Sequence, residues 1–380
     1  MKTSIFKLSN NNWSKHPRSA DFEKGKAQLV LCFGSKEIMG EKDIYERVRQ
    51  QFPHSQIALC STAGEIFQDL VLDDAMVASA IHFDKVAVQT ASVNIRDFKD
   101  SYEAATALVK QLPSMDLSYI LVLSDGSSVN GSDLVKGLND AAGNKILITG
   151  GLAGDGANFV STLVGLNKQP EEGNILAIGF YGKNLFVTHG SQGGWDSFGP
   201  EREVTKSEGN ILFEIDNKNA LRTYEKYLGP DADNLPGSAL LFPLSMTVPG
   251  NNHAITRTIL SVDRKKSSMT FAGDIPVGAK VRFMKANFDK LTSAASGAAQ
   301  KTIDKDKASP GFSLLVSCVG RKLILGPRID EEVEAVKETI GKDIPIAGFY
   351  SYGEISPFND GGACQLHNQT MTITTLYELP

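Results

Sequence analysis

Two carboxylates stand at matched places in the chain. Glu65 lies in Gly64-Glu65-Ile66 and Glu354 in Gly353-Glu354-Ile355, each just after an apolar run; Asp155 holds a similar place after Gly154. A carboxylate beside glycine at a strand end can do two things. It can accept backbone N–H groups and fix a turn, or it can line a cleft and hold a ligand amine or hydroxyl. Ser128 and Asn130, in SDGSSVNG, face the same alternative. His189 ends an apolar stretch and leads into Gly190, Gly193, Gly194 and Trp195. A neutral imidazole there can bind an iron axially, or simply hydrogen-bond to backbone. The aromatics near the presumed seam, among them Phe180, Trp195, Phe349 and Tyr352, can wall an apolar ligand or fill a core.

Other chemistries lack their motifs. There is no GxxxxGK(S/T) loop, HExxH or GxSxG elbow. The glycine run 150–156 precedes no clear helix, so it is not read as a dinucleotide fingerprint. The four cysteines lack CxxC spacing; Cys32, Cys60 and Cys318 sit in apolar runs, and Cys364 alone, in a Gly-rich loop, is worth testing as a thiol. No positive case for an enzyme emerges. The alternative is a hydrolase with Glu65 or Glu354 as general base.

The elements that must position these residues come in three copies: residues 29–66, 120–156 and 314–355. Each is an apolar run, a small-residue turn, an amphipathic stretch, a second apolar run and a second turn. Such units pack about pseudo-symmetric axes, so their matched turns are expected to converge on a shared cleft. Helices are predicted over 41–51, 102–112, 132–142, 219–228, 286–303 and 331–340, with strands between, including one over 159–166. The pattern predicts an α+β fold: repeated β-α-β-β-β units in layered mixed sheets flanked by helices, in two pseudo-symmetric domains. The expected divisions are an irregular arm (1–27), an N-terminal domain (28–200), a crossover rich in Gly, Pro and charge (201–218) and a C-terminal domain (219–380).

Net charge is −5 over 380 residues, with no basic excess to hold nucleic acid or anionic lipid. The first residues lack a signal-peptide core and no apolar run approaches a membrane span, so a cytoplasmic protein is expected.

Six segments together carry a family resemblance: CSTAGEI (60–66), SDGSSVNG (124–131), GGLAGD (150–155), GWDSFGPEREVTKSEGN (194–210), ALRTYEKYLG (220–229) and GFYSYGEISPF (348–358). In these the chain resembles FIST-domain proteins, with an N-terminal and a C-terminal module. The resemblance implies a sensory module in signal transduction that binds a small ligand such as an amino acid. The matched turns and the aromatics near the seam make Glu65, Asn130, Asp155, Trp195, Tyr352 and Glu354 the candidate residues for such a ligand. Around His189 the chain also resembles haem-binding nitric-oxide sensors that act on histidine kinases. That implies His189 as axial ligand of a haem b, non-covalent because no CxxCH is present.

Overall fold

The computed structural model describes residues 1–235, 237–250, 254–304, 311–359 and 361–380; His253 lies outside them. Each copy forms a parallel strand pair: Leu29–Gly34 with Gln56–Ser61, Leu117–Ser124 with Leu147–Leu152, and Phe312–Cys318 with Ile346–Ser351. The first strand of each pair also runs antiparallel to a later strand, respectively Met76–His82, Asn174–Tyr181 and Met371–Glu378. An outer strand completes that side: Lys2–Ser9, Ala87–Asn94 and Leu185–Gln192.

The other side of each sheet is closed by a strand borrowed from another copy. Glu65–Phe67 leaves the first copy and pairs with Ile346–Ser351 of the third. Gly353–Pro357 leaves the third and pairs with Leu147–Leu152 of the second. Val164–Leu166 leaves the second and pairs with Gln56–Ser61 of the first. The exchange is cyclic, so every copy completes a neighbour's sheet.

The strand sequences explain the layering. Leu29, Leu31 and Phe33, Tyr119, Leu121 and Leu123, and Phe312, Leu314 and Val316 all point into one core shared by the three sheets. Phe33 stacks on Phe349 there, ring centroids 4.7 Å apart. The alternate residues face outward under helices. Val30 and Cys32 meet Ile44 and Val48 of helix Ile44–Gln51. Ile120 and Val122 meet helices Ser101–Lys110 and Gly131–Ala141. Leu315 meets Phe288–Gln300 and Asp330–Ile340. Burial on both faces is why these strands read as unbroken apolar runs.

A second domain is inserted between the second and third copies. Residues 196–285 form an eight-stranded sheet whose core, including Val204, Leu212, Tyr224 and Phe283, is separate. Helix Ala220–Leu228, capped by Asn219, packs on it. The fold is thus α+β, with layered mixed sheets in a two-domain arrangement, and its internal symmetry runs through the three copies of the body.

Three segments differ from the sequence reading. Residues 1–27 hold the hairpin Lys2–Ser9/Asn12–Lys15, turned by Asn10 and Asn11 at φ 49° and 62°. Asparagine tolerates the left-handed conformation such a turn requires. Residues 201–218 are not a crossover: they carry most of strand Asp196–Glu208 and all of Ile211–Ile215. Strand Asp196–Glu208 keeps Val204 buried but is largely solvent-facing, so its charge and glycine masked it. The predicted strand over 159–166 shrinks to Val164–Leu166, because Phe159 to Ser161 wrap a carboxylate instead.

Candidate functional site in a cleft between the two domains

A cleft of about 350 Å³ opens where the second copy of the body meets the inserted sheet. Its floor is the SDGSSVNG turn. Asp125 Oδ1 accepts from the backbone N–H of Ser127 (2.9 Å) and Ser128 (2.6 Å), and its Oδ2 accepts from Gly173 N–H (3.0 Å). A Cβ on Gly126 would sit 2.1 Å from Ala153 O, so only glycine fits there. Asn130 then caps helix Gly131–Ala141, its Oδ1 accepting from Ser132 and Asp133 N–H.

One wall is built around Asp155, 2% exposed. Its Oδ1 accepts from Phe159 N–H (2.8 Å) and its Oδ2 from Val160 and Ser161 N–H (both 3.0 Å). The Tyr352 hydroxyl donates to the same carboxylate and accepts from Phe159 N–H (3.0 Å). Burial first, then the Asp155 carboxylate, hold that phenol well above its ordinary pKa. The grip forces Phe159 to φ 56° and lays its ring on Tyr352, centroids 4.6 Å apart and 19° from parallel. Phe159 nevertheless stays 42% exposed and Val160 72%.

The inserted sheet supplies the facing wall: Asn210, Leu260, Phe271, Ala272 and Gly273. Two bonds pin it to the body. Asp274 N–H donates to Ser132 Oγ (3.2 Å), and the Arg257 guanidinium donates to Leu366 O (3.0 Å). Arg257 is buried, which lowers its pKa to about 10.

The structure brings Asn130, Asp155 and Tyr352 together at this cleft; the other candidates lie elsewhere. Glu65 and Glu354 are fully buried. Glu65 accepts from Thr62 Oγ1 (2.6 Å) and Glu354 from Ser351 Oγ (2.8 Å), the same three-residue step in both turns. Glu354 also accepts from Thr370 N–H and Oγ1. Burial pushes both carboxyls up to about 8. The like-placed turns do converge, and they do so on one another: Ala63 N–H donates to Tyr350 O, Tyr352 N–H to Leu152 O and Gly154 N–H to Ser61 O. The two glutamates sit inside that junction. Trp195 donates its indole N–H to Gln369 O, next to a different cleft of about 500 Å³ at Gly193 and Gly194. His189, on strand Leu185–Gln192 and opposite Thr374, borders a third cavity of about 330 Å³ with Lys145, Phe186 and Lys301. Among the described residues no group of three or more His, Cys, Asp or Glu is placed to hold a metal ion.

Sequence reasoning missed Phe159, Val160 and the whole inserted-sheet wall. Asp155-Gly156 was the available signal for a turn that would break the predicted strand.

With the geometry in view, comparison with known proteins is decisive at the family level. The FIST N domain matches residues 28–218 and the FIST C domain residues 220–357. The chain belongs to the FIST family. FIST proteins are ligand-binding sensors of signal transduction, and the boundary between the two FIST modules falls within the inserted sheet. An uncharacterized protein of Mycobacterium tuberculosis is 26% identical over 265 residues, covering 67% of this FIST chain and 66% of the relative. The match thus spans just under two thirds of that relative's length. An uncharacterized protein of Mycobacterium bovis is 26% identical over 181 residues, 45% of each chain. Among solved structures, cyanuric acid hydrolase from A. caulinodans aligns over 100% of this chain and 99% of its own at 6% identity, with a TM-score of 0.35. A second cyanuric acid hydrolase aligns over 99% of both at 10% identity and a TM-score of 0.31. Likenesses at that level say nothing about chemistry in this FIST protein. No helix among its described residues is long and apolar enough to cross a membrane.

Proposed function

We propose that this FIST protein senses a small polar metabolite, of the size of an amino acid, bound in the cleft between the Phe159–Tyr352 wall and the inserted sheet. One observation carries the reading: an aromatic residue is held at positive φ, against its own preference, so that its ring lines a cleft while remaining exposed. Such backbone costs about 1–3 kcal/mol and persists where surrounding structure enforces it, characteristically at ligand clamps. The ring supplies an apolar face, and Ser127, Ser128 and Asn130 supply polar edges. About 350 Å³ is near the lower end of the ~300–1,000 Å³ usual for ligand sites, which suits a metabolite. A ligand there touches both domains, so binding favours one relative placement of the inserted sheet, and that placement is the signal.

Binding without turnover is the better reading of this cleft. Its lining holds no histidine, lysine, cysteine or carboxylate, and the one acid beside Ser127, Asp125, is fully buried with its oxygens taken up by Ser127, Ser128 and Gly173 N–H as well as by Ser127 Oγ. The test is a thermal-shift screen of amino acids and other small metabolites. The expected result is a ligand whose stabilisation falls about tenfold in apparent affinity in Phe159→Ala. A ligand whose shift is untouched by Phe159→Ala and Asn130→Ala would sink the assignment.

A haem-based nitric-oxide sensor acting on a cytoplasmic histidine kinase is the narrower reading. Its support is His189 at the edge of a cavity that also holds Phe186. The residues present suit haem poorly: the cavity is about 330 Å³, Asn144, Lys145, Thr188 and Lys301 make much of its lining polar, and a porphyrin needs a large apolar slot. No step is derived through haem. Haemin titration decides: a Soret band lost in His189→Ala would restore that reading, and no band would end it.

A further inference from the structure

We propose that the basic groove on helix Ala220–Leu228 of the inserted domain docks an acidic, extended segment of a partner protein. The groove lies among Arg202, Lys218, Asn219, Arg222, Thr223, Lys226 and Tyr227, with a volume of about 610 Å³. Four of its seven lining residues are cations and none is an acid, in a chain whose net charge is −5.

The cations fall into two kinds. Arg202 is already engaged: it donates to Asp216 (2.7 Å) and to the Tyr227 hydroxyl (2.7 Å). It fixes the groove's back wall. Lys218, Arg222 and Lys226 are exposed, and among the described residues none of them has an ion-pair partner. The helix's own acid, Glu225, is turned away and pairs with Arg264. A like-charged row that Asp216 offsets only at its Lys218 end repels itself along the helix, so the fold gains little from it. An anion arriving from outside relieves that repulsion.

Spacing selects the occupant. Arg222 and Lys226 are four apart on the helix, so these two charges stand about 6 Å from one another along its axis, and Lys218 lies on the short strand Lys218–Asn219 just before it. In an extended peptide, side chains on one face recur every two residues, about 6.6 Å. Alternating acidic residues therefore match the helical pair in register, with Lys218 available to a further one. The row is only three charges long, with Asp216 beside one end and Asp231 and Asp233 in the turn that follows the helix at the other. A long polyanion such as a nucleic acid would be repelled on either side, which favours a short acidic protein segment. Because the groove lies on the domain whose placement the cleft ligand would set, it is a natural output surface; its existence does not depend on that ligand.

The experiment uses the full chain and a fluorescein-labelled octapeptide of alternating serine and glutamate, read by fluorescence anisotropy at low salt. The controls are the serine–glutamine octapeptide and a single-stranded oligothymidylate of eight nucleotides. One variant combines Lys218→Ser, Arg222→Ser and Lys226→Ser. A second makes the same charge change elsewhere, with Lys99→Ser, Lys110→Ser and Lys183→Ser. The expected result is binding of the acidic peptide about tenfold tighter than the glutamine peptide, lost about tenfold in the first variant and kept in the second. Equal loss in both variants would reduce the effect to net charge and overturn the proposal. No binding, or tighter binding of the oligonucleotide, would overturn it too. All substituted side chains are exposed, and unchanged melting temperatures confirm that both variants fold.

Discussion

Tyr352 and Phe159 lie 193 positions apart, yet their rings stack at 4.6 Å and the hydroxyl of one accepts from the backbone N–H of the other. The contact joins the third copy of the repeat to the loop that follows the second. It exists because Asp155 gathers three consecutive N–H groups, from Phe159 to Ser161, and turns the chain back over the tyrosine.

Asp155 is therefore expected to be the keystone of that wall. Asp155→Ala leaves Val160 and Ser161 N–H without their acceptor, while Phe159 N–H keeps only the Tyr352 hydroxyl and that hydroxyl only Gly156 O. Hydrogen bonds to a charged group contribute about 1.5–3 kcal/mol each, and part of the loss is recovered as the loop opens to water. A net destabilisation of about 3 kcal/mol is expected in urea denaturation. A change under about 1 kcal/mol would show that the loop holds itself.

Glu354 makes stability depend on pH in an unusual direction. Burial raises its pKa from the ordinary 4.5 to about 8. The folded state then binds a proton that the unfolded state has released, so stability is greatest below about 4.5 and declines as pH rises through about 8. Glu65 is shifted the same way and adds to the slope. Glu354→Gln keeps an acceptor for Thr370 and cannot ionise. It should be more stable than wild type at pH 9 and flatten the decline between pH 5 and pH 8. Parallel stability curves for the two proteins would refute this.

The pair Arg321–Glu332 is fully buried, with a 2.8 Å contact. Arg321 also donates to Gly193 O and Leu291 O, and Glu332 accepts from Ser317 and the Tyr350 hydroxyl. Glu332→Ala strands a guanidinium in the interior and should cost about 3–5 kcal/mol. The double variant Arg321→Met, Glu332→Leu should recover a large part of that. Chemical denaturation of both proteins checks the pair, and a double variant no better than the single one would contradict the account.

Much of the fold was legible because both faces of the central strands are buried. Leu29–Gly34 and Phe312–Cys318 read as strands from apolar content alone, and the copies revealed one another. The converging turns were legible for the same reason. Their consequence was not: whether Glu65 lines a cleft or fills a junction depends on how closely three backbones approach. The inserted wall was illegible because Leu260 and Phe271, on the neighbouring strands Ile259–Asp263 and Ser268–Phe271, are placed by the pairing of the latter with Ile211–Ile215, far earlier in the chain. Residues 1–27 were misread because polarity outweighed the two asparagines that turn the hairpin.

The traded strands bear on how the FIST protein can be divided. Cutting the chain between its two family modules would leave the first sheet whole, since all its members precede residue 219. It would strip Leu147–Leu152 of its neighbour Gly353–Pro357, leave Glu65–Phe67 paired only with Leu70–Leu72, and orphan Leu185–Gln192. Bare edges of that sort invite clumping. The two halves are separate in sequence comparison, but as matter they are a single knot of mutual lending, and any fragment made for study should carry all three copies.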